Sequence, residues 1–392
     1  PLKDFDILGF SLGYELTFTN VLEILDLSGI PVVAADRTDE HPLVIAGGGQ
    51  TLNPEPMADF VDLFVIGEGE EVLPELLELC RTWKQEHSRT RDGFLRAALA
   101  IPGIYIPRFY EASYHPDGTL AGFTPAIAEA PERIRRRIVD PLPPPPTRPV
   151  VPILEAVHDR AALEIQRGCP RGCRFCEAGM VYRPLRERPM DEVLQAAEEL
   201  LASTGYEELS LVSLSTSDYP GIDKLVKELV ARHRGSPLSI SLPSLRSDTF
   251  SLALAQSLPG RRGGLTLAPE AGTERLRRVI NKALTDDDLA QAVQTALGAG
   301  WSNVKLYFMV GLPTETDEDV AAIAGLARRF KGLAQDAGRQ LQVRVSVATF
   351  IPKPHTPFQW APQLPPEEVQ PRLERLRHDL RRSWAHLSWP DS

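Results

Sequence analysis

Short apolar runs ending in glycine or in polar residues alternate along this chain with longer stretches whose apolar residues recur every three or four positions. The first kind reads as a buried strand, the second as an amphipathic helix. Near the start, strands are predicted over residues 6–11, 42–47 and 61–66, with helices over residues 15–27 and 71–84. From residue 161 the alternation becomes regular. Strands are predicted over residues 162–166, 208–214, 238–242, 264–270, 303–310 and 341–350. The intervening stretches keep helical spacing, as Val193, Leu194, Ala197, Leu200 and Leu201 do. A helical region after Thr273 breaks near Thr285, and further helices cover residues 317–330 and a stretch from residue 366 carrying Leu373, Leu376 and Leu380. Strands alternating with helices build parallel sheets with covered faces. The expected fold class is therefore α/β: a partial (β/α)6 TIM-like barrel preceded by a truncated Rossmann-like α/β unit.

Between the two lies a different texture. Residues 104–123 suggest a small hairpin, with His115-Pro116-Asp117-Gly118 as its turn. Arg133, Arg135, Arg136 and Arg137 read as a solvated basic face, and Pro141 to Pro146 followed by Pro149 as a stiff polyproline-like spacer. The expected division is an incomplete α/β unit (residues 1–90), a hairpin spacer and linker (91–152), the barrel (153–365) and a C-terminal helix (366–392).

A net charge of −10 argues against a general grip on nucleic-acid backbone, though not against a local basic site. No apolar run approaches the roughly 20 residues needed to cross a bilayer, and no secretory signal is visible. The chain starts at Pro1 rather than methionine, so it is expected to be a fragment or a processed form. The 4 cysteines are few, and three of them fall within Gly168-Cys169-Pro170-Arg171-Gly172-Cys173-Arg174-Phe175-Cys176, which points to ligands in a reducing cytosol. Three thiols so close cannot all pair with one another. Structural zinc takes four ligands, while His158 lies well upstream and Cys80 in a distant segment. An iron–sulfur cluster held by three cysteines leaves one iron without a protein ligand, a place for a small molecule. The loop leaves the end of the first barrel strand, and Ser215, Ser217, Ser244, Arg246, Glu270 and Gly311 follow the ends of later ones, where the chemistry of such barrels gathers.

With Phe175 directly before the third cysteine, the loop resembles that of the radical S-adenosylmethionine (SAM) superfamily. The resemblance extends over the barrel, to Glu270-Ala271-Gly272-Thr273, Met309-Val310-Gly311-Leu312-Pro313 and Pro354-His355-Thr356-Pro357-Phe358. It implies a [4Fe-4S] cluster on Cys169, Cys173 and Cys176, with SAM chelated at the open iron and cleaved reductively to a 5′-deoxyadenosyl radical. It places Phe175 beside the adenine, Ser215 and Ser217 at the SAM amino group, Arg246 at the SAM carboxylate and Glu270 at the ribose or sulfonium side. Gly311 would let the adenine approach the backbone.

Each position has a plainer reading as well. The serines are common turn residues, Glu270 suits a helix cap, Arg246 has Asp248 nearby, and His355 sits in a rigid loop. Arg183, Arg186 and Arg188 read as scaffold, and Cys80, flanked by leucines on a helix, as packing.

Gly48-Gly49 followed by Pro54-Glu55, and Gly67-Glu68-Gly69-Glu70, resemble the second half of the cobalamin-binding domains that precede the core in one branch of that superfamily, although on glycine pattern alone these are tight turns. The family's opening strands are missing, and no Asp-x-His-x-x-Gly motif offers a lower cobalt ligand. The resemblance thus implies a cytoplasmic radical SAM enzyme, with cobalamin-dependent methyl transfer where the first unit holds a corrinoid. A reducing partner of the flavodoxin or ferredoxin type follows, and RNA or a ribosome-associated target is the weak guess for substrate. The alternatives are a methylthiotransferase, disfavoured because Cys80 is the only cysteine outside the loop, and a non-enzymatic iron–sulfur electron carrier or cobalamin sensor.

Overall fold

A computed structural model of the chain describes residues 1–85, 90–154, 159–243, 265–381 and 386–388, the last segment beginning at His386, known by its backbone only. The chain divides into two units, Pro1–Pro143 and Pro144–Ser392.

In the first unit, β2 (Leu43–Gly47) is apolar at every position because both its faces are covered. Leu43 and Ile45 join one buried cluster, Val44 and Ala46 another. Parallel strands β1 (Ile7–Ser11) and β3 (Leu63–Val65) flank it. Helix α1 (Phe18–Leu27) supplies Val21 and Leu25 to one face. Helix α2 (Gly69–Trp83) supplies Val72, Leu76 and Cys80, four residues apart, to the other. Cys80 is therefore a packing residue.

The boundary expected near residue 90 is corrected here. Helix α3 (Arg91–Ala98), capped by Thr90, buries Phe94, Leu95 and Ala98 in the same cluster as α2. Strand β4 (Ile104–Tyr105) then pairs antiparallel with β3 and closes the sheet in the order β1-β2-β3-β4. The hairpin is correspondingly shorter than expected, β5 (Tyr110–Tyr114) against β6 (Leu120–Pro125), with the Gly118 N–H closing the turn on the His115 carbonyl at 2.9 Å.

Three segments of this unit meet on one carboxylate. Asp62 accepts from Arg37 at 3.1 Å, from Arg91 at 2.9 Å and from the Val44 N–H at 2.8 Å. The remaining guanidinium donors reach the carbonyls of Pro31, Val32 and Phe60, and of Thr38, His41 and Pro42. All three side chains are buried.

The second unit holds two parallel sheets. One runs in the order β11 (Ser239–Ser241), β10 (Glu208–Val212), β7 (Ala161–Glu164). The other runs β12 (Leu265–Glu270), β13 (Asn303–Val310), β14 (Gln342–Thr349), β15 (His386–Ser388). The last strand had no counterpart in the sequence pattern. A single apolar cluster lies behind both sheets and takes residues from each: Leu163, Leu211, Ile240, Leu267, Leu306 and Val345. Helices α5 (Met190–Thr204), α6 (Ile222–Arg232), α8 (Asp286–Gly298), α9 (Asp317–Asp336) and α10 (Pro366–Arg381) cover it. Along β13, Val304, Leu306, Phe308 and Val310 face these helices, while Lys305, Tyr307 and Met309 face the other way and stay accessible. The break at Thr285 is real: its side chain forms a capping box with Asp288 that starts α8.

Because Asp62 is the sole carboxylate between two buried guanidiniums, Asp62→Ala is expected to destabilise the first unit by about 3 to 5 kcal/mol. Urea unfolding followed by circular dichroism measures it. A loss below about 1 kcal/mol would show that Arg37 and Arg91 are held by their carbonyl partners alone.

Candidate functional site

The cysteine loop begins at Gly168, after the two-residue strand β8 (Gln166–Arg167). Strand β9 (Arg186–Glu187) pairs antiparallel with β8 and pinches the loop at its base. Gly168 has φ +87°, and a Cβ there would lie 2.7 Å from the carbonyl oxygens of both Tyr182 and Pro184, so no other residue fits. The short helix α4 (Ala178–Val181) follows the third cysteine.

Cys169, Cys173 and Cys176 form no disulfide and are half-buried. Burial pushes the Cys176 thiol up; the Gly179 N–H, donating to its Sγ at 3.4 Å, and Lys282 pull the other way, while Cys173 and Cys169 add to the rise. Among the described residues no three His, Cys, Asp or Glu side chains close on a single ion position. A cluster differs from a single ion in taking its thiolates at separate iron atoms, and N–H donation to sulfur is one of the contacts that tune it. The residues present fit such a group.

The loop is tied down on two sides. On one, Arg174 donates from its N–H to the Ile280 carbonyl at 2.9 Å and from its guanidinium to the Val279 carbonyl at 2.7 Å. Asn281, itself at φ +56°, donates to the Gly172 carbonyl at 2.7 Å. On the other, Arg171 makes a two-pronged ion pair with Asp218 at 2.8 and 2.5 Å. Asp218 also accepts from the Ser215 hydroxyl at 2.6 Å, and the Ser215 carbonyl accepts from Gln166 Nε2 at 2.9 Å.

The other expected positions have mixed fates. Phe175 joins an apolar cluster with Leu276, Ile280, Leu312, Phe350 and Phe358. Ser215 and Ser217 are buried in the 3-10 turn that follows β10. Glu270 ends β12 at φ +67° and is no helix cap: Thr273 caps the next helix, α7 (Glu274–Val279), and Glu270 accepts from Lys282 at 3.0 Å. Gly311 has φ +85°, its N–H donates to Glu315 at 2.9 Å, and the side chain of Leu364 lies in the space a Cβ would face. Burial pushes the Glu315 carboxyl up, against the Gly311 N–H and Arg372. His355 stands at φ +60° with its N–H on Gln359 at 3.1 Å. Arg186 and Arg188 are buried, and Arg188 is paired with Glu192 at 2.7 Å, which is scaffold. Arg246, with Ser244, Asp248 and His158, lies outside the described residues.

The pattern missed Lys282, Gln166 and the Arg171–Asp218 pair. Gln166 carried a signal, being a polar residue in an apolar strand; Lys282 carried none.

In the first unit a cavity of about 290 Å³ opens at the C-terminal ends of β1, β2 and β3, lined by Ser11, Gly47, Gly48, Gly67, Gly69 and Leu73 among others. Gly49 is not among them; it starts a 3-10 turn. Gly48 at φ +109° would press a Cβ to 2.7 Å from the Leu12 carbonyl, and Gly67 at φ +113° would press one into the backbone of Arg137. Those two glycines answer to the chain's own backbone. Gly47 and Gly69 carry no such demand.

Two family models match the chain: "Radical SAM proteins, N-terminal" over residues 1–107 and "Radical SAM superfamily" over residues 163–327. The chain is 32% identical over 368 residues to the uncharacterized protein MJ0966 of Methanocaldococcus jannaschii, a match covering 91% of the chain and 69% of that protein. It is 28% identical over 262 residues to the ribosomal protein uS12 methylthiotransferase RimO of Acaryochloris marina, covering 64% of the chain and 56% of that protein. Among solved structures it is similar to TsrM from Kitasatospora setae, a radical S-adenosylmethionine methyltransferase with cobalamin and a [4Fe-4S] cluster bound. That likeness has a TM-score of 0.54 at 15% identity over 87% of this chain and 64% of that one, and it is a likeness of fold.

Gly168→Ala is expected to cost at least about 1 to 3 kcal/mol, since it adds strain to a site with no room for a Cβ. Thermal denaturation under argon measures the loss, and faster alkylation of Cys169 is expected with it. Unchanged stability would mean that the base of the loop relaxes freely.

Proposed function

The chain belongs to the radical SAM superfamily, and from that premise we propose that it is a cytoplasmic enzyme that cleaves SAM reductively and uses cobalamin to transfer a methyl group to a substrate yet to be identified. The observation that carries this reading is the loop clamped from two sides, with three cysteines in no disulfide.

In this reading the strands β7, β10, β11, β12, β13 and β14 form a partial barrel, supported by the apolar layer the two sheets share. Residues 144–388 make up that catalytic unit, and residues 1–143 the corrinoid-binding one. Cys169, Cys173 and Cys176 would hold a [4Fe-4S] cluster, which when bound would supply the electron for reductive cleavage of SAM. Metal binding deprotonates a coordinating thiol outright, and Lys282 and the Gly179 N–H favour the thiolate at Cys176. Ser215 and Ser217 receive the SAM amino group, Glu270 the ribose and Arg246 the carboxylate. Phe175 and Gly311 bound the adenine side, with Leu364 and Phe358 completing its apolar wall. The electron comes from a flavodoxin- or ferredoxin-type partner.

The cavity at the ends of β1, β2 and β3 takes the corrinoid's tail. Open α/β sheets bind ligands at that edge. No histidine lines it, so no lower cobalt ligand comes from there. A second reading, methylthiotransferase chemistry on RNA or a ribosomal protein, has the 28% identity with RimO in its favour.

Anaerobic reconstitution, then assay for 5′-deoxyadenosine and S-adenosylhomocysteine with a chemical reductant, tests the proposal. Both products indicate methyl transfer and the first alone plain radical chemistry. Neither, despite an intact cluster, indicates a carrier and sinks it. Replacing Cys169, Cys173 and Cys176 together by alanine is expected to abolish iron and sulfide retention and both products.

Gly47→Leu gives a separate check on the first unit. Its Cβ would meet nothing nearer than Val65 Cβ at 3.9 Å, so the side chain fills the cavity without displacing backbone. Loss of the cobalamin absorbance retained after gel filtration, with melting unchanged, is expected; full retention would place the corrinoid elsewhere.

A further inference from the structure

Gln166 is 1% exposed, yet among the described residues its Oε1 accepts no hydrogen bond. Its Nε2 donates to the Ser215 carbonyl at 2.9 Å, which fixes which end of the amide faces which way. Turned over, two oxygens would meet. A buried acceptor left unmet is destabilising, and in native structures it signals a partner not yet counted. The missing partner must be an N–H or O–H donor.

Position narrows the choice. Gln166 opens the two-residue strand β8, directly after the core residue Ile165 and two residues before Gly168. It is linked through Ser215 and Asp218 to Arg171 of the cysteine loop. Asp218, the carboxylate one would expect to meet a cationic ligand here, already receives the Arg171 fork and the Ser215 hydroxyl. A neutral carboxamide oxygen is thus the acceptor left over at the turn assigned to the SAM amino group. The SAM carboxylate offers only acceptors, and the ribose hydroxyls belong with Glu270 on another strand.

We infer that Gln166 binds the amino group of SAM through Oε1 while its Nε2 holds the Ser215 turn in place. This rests on the SAM reading given above and assigns to it a residue outside the serine turn. Gln166 then does two things with one side chain: it orders the turn before ligand arrives, and it distinguishes SAM from analogues lacking an amino donor.

The test is equilibrium dialysis on the reconstituted holoenzyme, with SAM and with the SAM analogue that lacks the α-amino group. Gln166→Met removes the carboxamide at nearly constant volume. It is expected to weaken SAM binding by about tenfold or more, leave binding of the deamino analogue at the wild-type level, and leave iron and sulfide content unchanged. Equal weakening of both ligands would show a general structural role and overturn the inference; so would a selective loss of SAM binding that Gln166→Glu, which keeps an oxygen but not the Nε2 donor, fails to restore, since that loss would run through the Ser215 turn. A preference for SAM over the analogue that is undiminished by the substitution overturns it too.

Should Gln166→Met fail to retain its cluster, Gln166→Glu keeps an oxygen at the open position. It is expected to preserve the preference for SAM over the analogue, and loss of that preference overturns the inference. A wild-type protein that binds neither ligand would overturn the SAM reading itself, an outcome distinct from the others.

Discussion

Three half-buried thiols stay available to a cofactor only if the backbone between them is held by something other than the thiols. Here that holding is done from two directions. Asn281 and the carbonyls of Val279 and Ile280 fix Gly172 and Arg174, between the cysteines, from the far side of β12. Arg171 is fixed through Asp218 to the turn after β10. The base is closed by the β8–β9 pair and by a glycine no other residue can replace. Each tie is a modest net stabilisation, about 1 kcal/mol for a neutral hydrogen bond and more for one to a charged group. Together they spare the loop the ordering entropy it would otherwise lose on taking up metal.

The same region carries the backbone strain. Glu270, Asn281, Thr314 and His355 are the non-glycine residues with positive φ among the described residues, and all lie in loops of the second unit that follow β12, β13 and β14. Such conformations cost of order 1 to 3 kcal/mol each and persist only where the surroundings determine them. Each has its determinant: Lys282 holds Glu270, Gly172 holds Asn281, Arg275 donates to the Thr314 carbonyl at 2.9 Å, and Gln359 holds the His355 N–H. The turn between β12 and α8 is further fixed by Arg277, fully buried, with its donors on the carbonyls of Ala271, Gly272 and Leu284 and on Asp286. Rigid loops over strand ends are what a site needs to present ligands without adjusting to them.

What the sequence made legible follows from where its information is local. Strand β13 was readable to the residue and the break before α8 to its neighbourhood, because alternation and interrupted helical spacing are short-range patterns. The cysteine loop was readable because thiol spacing has few meanings. Helix α3 was missed, since its buried apolar residues are only Phe94, Leu95 and Ala98, a glycine stands before them and its cap lies in a polar stretch. Strand β4 is two residues long and antiparallel, and β15 is three residues long at an edge, so neither leaves a periodic trace. Lys282 and Asp218 reach the site by folding alone: their partners lie 12 and 47 residues away. No window of sequence contains such pairs.

Glycines near strand ends were the weaker guide, and their fates show why. Gly48 and Gly67 are demanded by the backbone of Leu12 and Arg137, so their presence says nothing of a ligand. Buried polar groups discriminate better, because folding charges a penalty for each one left unpaired. Where burial serves structure in this chain, the accounts are complete: Asp62 between Arg37 and Arg91, and Arg277 among its carbonyls, each have partners for the buried charge. Gln166 departs from that rule inside the one neighbourhood where thiols, strained loops and a polar turn already converge. What sets Gln166 apart is its place, at the base of the cysteine loop and bonded to the Ser215 turn. The open acceptor is therefore better explained by a ligand than by imperfect packing.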